Sequence, residues 1–289
     1  MRKKLLGASG KVLLAVLLVA GVSTVASAKS ALQQIKDRGY IRIAVANEIP
    51  YGFMTSSGKA KGFGPDVARK VLAKMGIKDI QWTVTDFGSL IPALRAGRVD
   101  MVAASQAIKP QRCQVVAFSE PNTTYGQGLM VLKGNPKNIH SYGAFLKNHN
   151  LKMGIVSGAD QTDIAQKVGI PDNQITFISA NTDAVGALQS HRIDAYAGTQ
   201  LTVVRLAKKS SAVVPAEPFK DPIINGKPQR DWGAFTFQKS DKKLLKEFNK
   251  YLAQVHKTDW WQKDLKSYGL DQHSINEVSK KTTKELCSG

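Results

Sequence analysis

Acidic side chains are scarce in this chain: 22 Asp and Glu stand against 41 Lys and Arg over 289 residues, a formal net charge of +19. Histidines number five and cysteines two, Cys113 and Cys287. None of them falls at metal-ligand spacing, so neither a metal centre nor another cofactor is expected. The lysines are dispersed, with local clusters only at Lys242, Lys243, Lys246 and Lys250 and at Lys280, Lys281 and Lys284. They form no aromatic-interleaved basic motif, so the charge does not read as a nucleic-acid surface; it suits solubility among negatively charged surroundings. Long hydrophobic runs are missing except for Val12 to Ala20, which follows the cations Arg2, Lys3, Lys4 and Lys11. That run is shorter than the roughly 20 apolar residues that span a bilayer. With Ala26-Ser27-Ala28 as a small-x-small site, residues 1–28 read as a secretory signal peptide cleaved after Ala28. No cysteine stands at the cleavage point, so a lipid anchor is not expected.

Roughly 260 residues of charge about +15 remain from Lys29 onward, enough for two modest domains or one large one. In an oxidising compartment the two cysteines can pair, which would tie the C-terminal tail back beside Arg112, or they can stay free.

What the chain does contain is a regular alternation. Tyr40 to Val45, Ile80 to Val84 and Met101 to Ala104 read as strands, separated by helical patterns over 65–75 and 90–96. The rhythm repeats with strands at 152–156, 175–178 and 195–197 and helices at 161–167, 184–190 and 201–208. An extended run at Gly128 to Lys133 leads from the first half to the second, and another at Trp232 to Phe237 precedes an amphipathic helix over 241–257. The pattern predicts an α/β fold of two open lobes joined by a two-stranded hinge. The first lobe covers 29–131, the second 132–232, and the segment 233–289 returns to the first. A single doubly wound domain is the alternative.

Ligands of open α/β sheets bind beyond the carboxyl ends of the strands. Glu48 and Tyr51 follow the first strand, Phe87 the second and Arg112 the third; Asp160 and Thr199 occupy matching places in the second half. Arg112 offers a planar fork that matches a carboxylate two oxygens at a time. Asp160 stands where it can cap its helix or face the cleft.

Several segments together resemble the extracellular solute-binding proteins of bacterial ABC importers, family 3, the polar amino-acid type. They are Gly62-Phe63-Gly64-Pro65-Asp66-Val67-Ala68, Leu90 to Leu94 with Gly97 to Asp100, Pro110-x-Arg112 with Phe118-Ser119 and Pro121, and Arg192 to Tyr196. Gly64 stands where the family has an acid. Within the family, Ala46-Asn47-Glu48-Ile49-Pro50-Tyr51-Gly52-Phe53 is most similar to the ectoine and hydroxyectoine binders.

The resemblance implies a periplasmic receptor of the type II binding-protein fold, acting as a monomer that captures a small zwitterionic or cationic solute and delivers it to a membrane permease. It implies that Arg112 holds a carboxylate, and that Glu48, Tyr51 and Phe87 hold the cationic part of the ligand. From the second lobe it implies Gly158, Asp160 and Thr199. Three departures bear on the ligand. Thr199 replaces the aspartate that usually meets an α-ammonium, Ala107 replaces a third aromatic, and Asp160 replaces a threonine that helps to hold a carboxylate. The rivals are a binder of cationic amino acids, a periplasmic dehydratase on the same fold and a detached sensor domain. Neither of the last two is expected, for want of a second catalytic partner and of a signalling segment before Gly289.

Overall fold

Short apolar strands alternating with amphipathic helices build two α/β lobes along one mixed sheet. The protein is described here by a computed structural model covering residues 29–289, so the signal-peptide reading of residues 1–28 lies outside the described residues. The first lobe runs β1 (Tyr40–Val45), α1 (Phe63–Lys74), β2 (Asp79–Val84), α2 (Leu90–Arg95), β3 (Met101–Ala107) and α3 (Pro110–Cys113). The chain passes through β4 (Thr123–Leu132) into β5 (Met153–Val156), α4 (Gln161–Val168), β6 (Ile175–Ile178), β7 (Ala195–Thr199) and α5 (Gln200–Ala207). It returns through β8 (Arg230–Phe237) to α6 (Lys242–His256), and ends in α7 (Thr283–Ser288).

The eight strands lie in the order β2-β1-β3-β8-β4-β7-β5-β6. Pairing is parallel within each lobe, Ile43 with Trp82 and with Met101 on one side, Ala195 with Met153 on the other. It is antiparallel through the middle, where β8 pairs with β3 at Gly233–Ala107 and with β4 at Trp232–Thr124. Thus β4 and β8 are the two strands through which the chain leaves the first lobe and comes back. The sequence reading started the outgoing strand at Gly128, whereas β4 begins at Thr123. Thr123 to Gln127 hold Tyr125 among threonines, a glycine and a glutamine, so hydrophobic alternation is missing there, yet all but Gly126 are buried. The β8 pairing, not side-chain pattern, extends the strand.

Each lobe has its own core. Ile41 and Ile43 of β1 pack with Val67 and Val71 of α1, Phe235 and Phe237 of β8, and the apolar stripe Leu244, Phe248, Leu252 and Val255 of α6. That stripe repeats at the helical period, which is what docks α6 on the first lobe. In the second lobe Met153 and Ile155 pack with Ile164 and Phe145. Fully burying each such side chain contributes roughly 1.5–3 kcal/mol. Cys113 and Cys287 are joined, Cα to Cα 5.7 Å, which clamps α7 to α3, the short helix that carries Arg112. Closing a loop of 174 residues stabilises the fold by about 5 kcal/mol in the chain-entropy model.

The glycines at the start of α1 set the position of the turn after β1. That turn is closed by reciprocal backbone hydrogen bonds between Glu48 and Gly52, 2.9 Å each. It docks on α1 through Phe63 N–H to Pro50 O, 3.0 Å, and Gly64 N–H to Tyr51 O, 2.9 Å. A Cβ on Gly64 would lie 2.3 Å from Ala103 O, and one on Gly62, whose φ is +115°, 2.5 Å from Pro50 O. The departure of Gly64 from the family acid therefore has a steric counterpart here, because no side chain fits against β3. We expect Gly64→Ala to destabilise the protein by about 1–3 kcal/mol. Thermal melting of the variant reads this directly, and an unchanged midpoint would show that the approach of α1 to β3 relaxes freely.

Candidate ligand-binding site

The strand ends of the two lobes meet around a small cavity. Glu48, Tyr51, Phe87, Asp160 and Thr199, all singled out from sequence, line it together with Ala104, Ser105, Tyr125, Val156, Ala159, Gln161, Asn181, Tyr196 and Gly198. Arg112 and Gly158 are not among the lining residues. They meet each other at the rim, where Arg112 Nη2 donates to Gly158 O at 2.9 Å. The second arm of the guanidinium donates to Ala107 O, also at 2.9 Å, and the group lies 5.7 Å from the Phe87 ring centroid.

Glu48 is placed by the β1 turn and reaches across to the second lobe, where its Oε1 accepts from Thr202 Oγ1 at 2.7 Å. Thr202 sits in the first turn of α5. Thr199 caps that helix, accepting from Thr202 N–H at 3.2 Å and donating to Thr202 Oγ1 at 3.0 Å. A chain of two hydroxyls therefore links the end of β7 to the Glu48 carboxylate. Burial pushes the Glu48 carboxyl up to about 7; the hydrogen bond from Thr202 opposes the rise and the charge of Asp160 adds to it.

Asp160 occupies the cap position of α4, but its side chain makes no capping hydrogen bond. The residue is only 6% exposed, and its Oδ2 is buried with no hydrogen-bond partner. Burial, with the charge of Asp231, raises its carboxyl to about 6, against the opposing charges of Arg112 and Lys109. The adjacent Gln161 donates to Gln127 Oε1 at 2.9 Å, and Gln127 donates to Asp231 Oδ2 at 3.0 Å. Asp231 in turn binds Lys109 Nζ at 2.5 Å. Burial alone would lower the Lys109 pKa, but the charges of Asp231 and Asp160 outweigh it and hold it above the ordinary lysine value.

The aromatic surface is larger than the sequence indicated. Tyr51 packs edge-on against Phe63 and Tyr125, ring centroids 5.5 and 5.4 Å apart, and its hydroxyl is buried without a partner. Tyr196 donates its hydroxyl to Asn181. Tyr125 from β4 and Tyr196 from β7 supply the rings that Ala107, buried in the core, does not. Sequence reasoning missed Tyr125, Tyr196, Asn181, Ser105, Gln161 and Thr202. The period-2 alternation Tyr196–Gly198 along β7 was the available signal for Tyr196; Tyr125 lay in a stretch not recognised as strand.

The lobes touch on both sides of the cavity. A Cβ on Gly158, φ +78°, would sit 2.8 Å from Gly88 Cα, so these two loops meet at backbone distance. With Arg112–Gly158 and Glu48–Thr202, this contact defines a closed arrangement. Chemically, it is a partly open, aromatic-lined chamber with the carboxyl groups of half-buried Glu48 and buried Asp160 and no basic side chain in its lining. Buried charge of this kind is stabilised only by a counter-charge and hydrogen bonds.

Comparison with known proteins agrees with this architecture. A probable amino-acid ABC transporter periplasmic-binding protein of Sinorhizobium fredii is 50% identical over 89% of this chain and 86% of its own length. The lysine/arginine/ornithine-binding periplasmic protein of Escherichia coli is 27% identical over 89% of this chain and 96% of its own. Among solved structures, EhuB in complex with hydroxyectoine superposes with a TM-score of 0.81 at 28% identity, covering 90% of this chain and 99% of that one. The family model for bacterial extracellular solute-binding proteins, family 3, matches residues 41–271, and the chain belongs to that family.

Proposed function

We propose that this protein is the periplasmic receptor of an ABC importer, closing two lobes on a small zwitterionic or cationic solute and presenting it to a membrane permease. The observation that carries this reading is the chamber itself, which Glu48 and Asp160 line together with Tyr51, Phe87, Tyr125 and Tyr196. Carboxylates and aromatic faces are the groups that hold a desolvated organic cation. The relatives named for amino-acid transport, and the neighbour holding hydroxyectoine, support a small charged solute. The lobe limits are proposed as 29–131 and 132–232, with 233–289 returning to the first; the two crossings β4 and β8 support a division into two lobes. Opening is a hinge motion at these two strands, and the ligand favours closure because it contacts both lobes.

Arg112, expected from sequence to take a ligand carboxylate, is proposed to clasp the second lobe through Gly158 and to offset part of the Asp160 charge. A hydrogen bond from a charged donor contributes about 1.5–3 kcal/mol. Arg112→Ala should therefore weaken solute binding by about 10–100-fold, with a cooperative melting curve showing that the variant remains folded. Equal affinity in titration calorimetry would remove Arg112 from the closing machinery.

A thermal-shift panel tests the receptor reading as a whole, using ectoine, hydroxyectoine, glycine betaine, proline, arginine, ornithine and a neutral sugar. A solute at ~100 times its dissociation constant adds about 2.7 kcal/mol. A response to the neutral sugar alone would overturn the reading. The protein is proposed to act without catalysis, so bound solute should be recovered chemically unchanged; turnover seen by NMR would overturn that part.

A further inference from the structure

We infer that the solute taken by this cavity is a small organic dication that carries no carboxylate, an alkyl diamine or guanidino-amine with a positive centre facing each of Glu48 and Asp160. The inference rests on the receptor reading and narrows it to one ligand class.

The charges around the cavity leave little place for a carboxylate. Its lining holds two acids and no lysine or arginine. The two bases nearest in the network are already engaged. Arg112 directs one arm to Ala107 O and the other to Gly158 O, and Lys109 is held by Asp231. Asp231, itself 3% exposed, stands behind Asp160 as the partner of Lys109, so this pair leaves no free positive charge for a ligand carboxylate. A ligand carboxylate entering at this end would stand close to Asp160, where like charges repel.

The unmet hydrogen-bonding capacity points the same way. Asp160 Oδ2 is a buried acceptor with no donor, although the residue heads a helix whose free N–H groups it could have capped. Buried acceptors are normally satisfied, and an orphan one that lines a cavity is a place for a ligand donor. Glu48 receives one hydroxyl on Oε1 from Thr202. A single positive centre would meet one carboxylate and leave the other with only the partial compensation the protein supplies. Two centres satisfy both. The rings of Tyr51, Phe87 and Tyr125 suit the alkyl stem between the centres and can face a guanidinium.

Matched pairs that differ by one carboxylate give the test: agmatine against arginine, putrescine against ornithine, cadaverine against lysine. Titration calorimetry of the chain without its first 28 residues is run at pH 7.5, with ectoine and hydroxyectoine alongside. The expected result is that the amine of at least one pair binds 30-fold or more tightly than its amino acid. Amino acids binding as well as their amines, or ectoine binding more tightly than any diamine, would overturn the dication class and leave the receptor reading standing. No binding or thermal shift with any of these solutes would overturn both.

Two variants isolate the residue responsible. Asp160→Thr should weaken the preferred amine at least tenfold and reverse the preference within its pair, and Asp160→Asn should weaken the amine without lowering the melting temperature of the fold. An unchanged amine-to-amino-acid ratio in Asp160→Thr would overturn the assignment of Asp160.

Discussion

Glu48→Gln lowers affinity for a cationic solute by at least about 30-fold and at the same time makes the empty protein more stable. The first effect follows from removing one partner of a desolvated charge pair, which costs roughly 2–5 kcal/mol. Glutamine keeps the shape, and its amide oxygen still accepts from Thr202, so the loss isolates the charge. The second effect follows from burial. The Glu48 carboxyl titrates at about 7 in the folded chain against 4.5 ordinarily. An acid whose folded pKa is raised is destabilising wherever it is forced to ionise. That cost is absent below about pH 4.5, grows through the window to about 7, and is complete above it. By linkage it amounts to roughly 3 kcal/mol at pH 8. Calorimetric melting of both proteins at pH 8 should show the variant higher, and titration should show it binding weakly. A variant that binds as well as the parent would place the ligand's cation away from Glu48.

Solute affinity should rise steeply between pH 5 and pH 8, by about 10²–10³-fold. A cation binds the ionised carboxylates, so at acid pH it must displace protons from Glu48, which titrates at about 7, and from Asp160, at about 6. Each proton weakens binding about tenfold for every pH unit below the pKa concerned. The groups facing these acids are Thr202 and Asn181 at Glu48, and Asp231, Arg112 and Lys109 at Asp160. In the empty protein the two acids act with the opposite sign, so stability falls as pH rises from about 4 to 7. Affinity and empty-state stability therefore move in opposite directions over the same range. Calorimetry across pH 5–8 checks this, and the Glu48→Gln, Asp160→Asn double variant should flatten the profile. A flat profile in the parent would mean that neither acid meets the ligand in its charged form.

Most of the architecture was legible because its determinants are local. Apolar runs such as Tyr40 to Val45 and the stripe of α6 announce strand and helix by their own periods, and a glycine or proline marks most of the turns between them. The strand-end rule then located Glu48, Tyr51, Phe87, Asp160 and Thr199, because a residue just past a parallel strand points to the same edge of the sheet whatever the details. Tyr125 was hidden for a different reason. Thr123 to Gln127 has no strand pattern of its own and becomes extended through pairing with β8, more than a hundred positions away. Thr202 was hidden because nothing near it in sequence reveals Glu48 as its partner, 154 residues earlier.

By itself, then, the amino-acid sequence determined the two-lobed α/β plan, the family and the acids and rings at the strand ends, all of which depend on short-range pattern. The tertiary structure decided what those residues do together. Arg112, read from its segment as a carboxylate anchor, has its fork turned onto two backbone carbonyls, one from each lobe, while Asp160 is left uncapped and facing the chamber. The reason is physical: a charge takes its role from its partners and its solvent exposure, and both are set only when β4 and β8 bring the two sets of strand ends face to face.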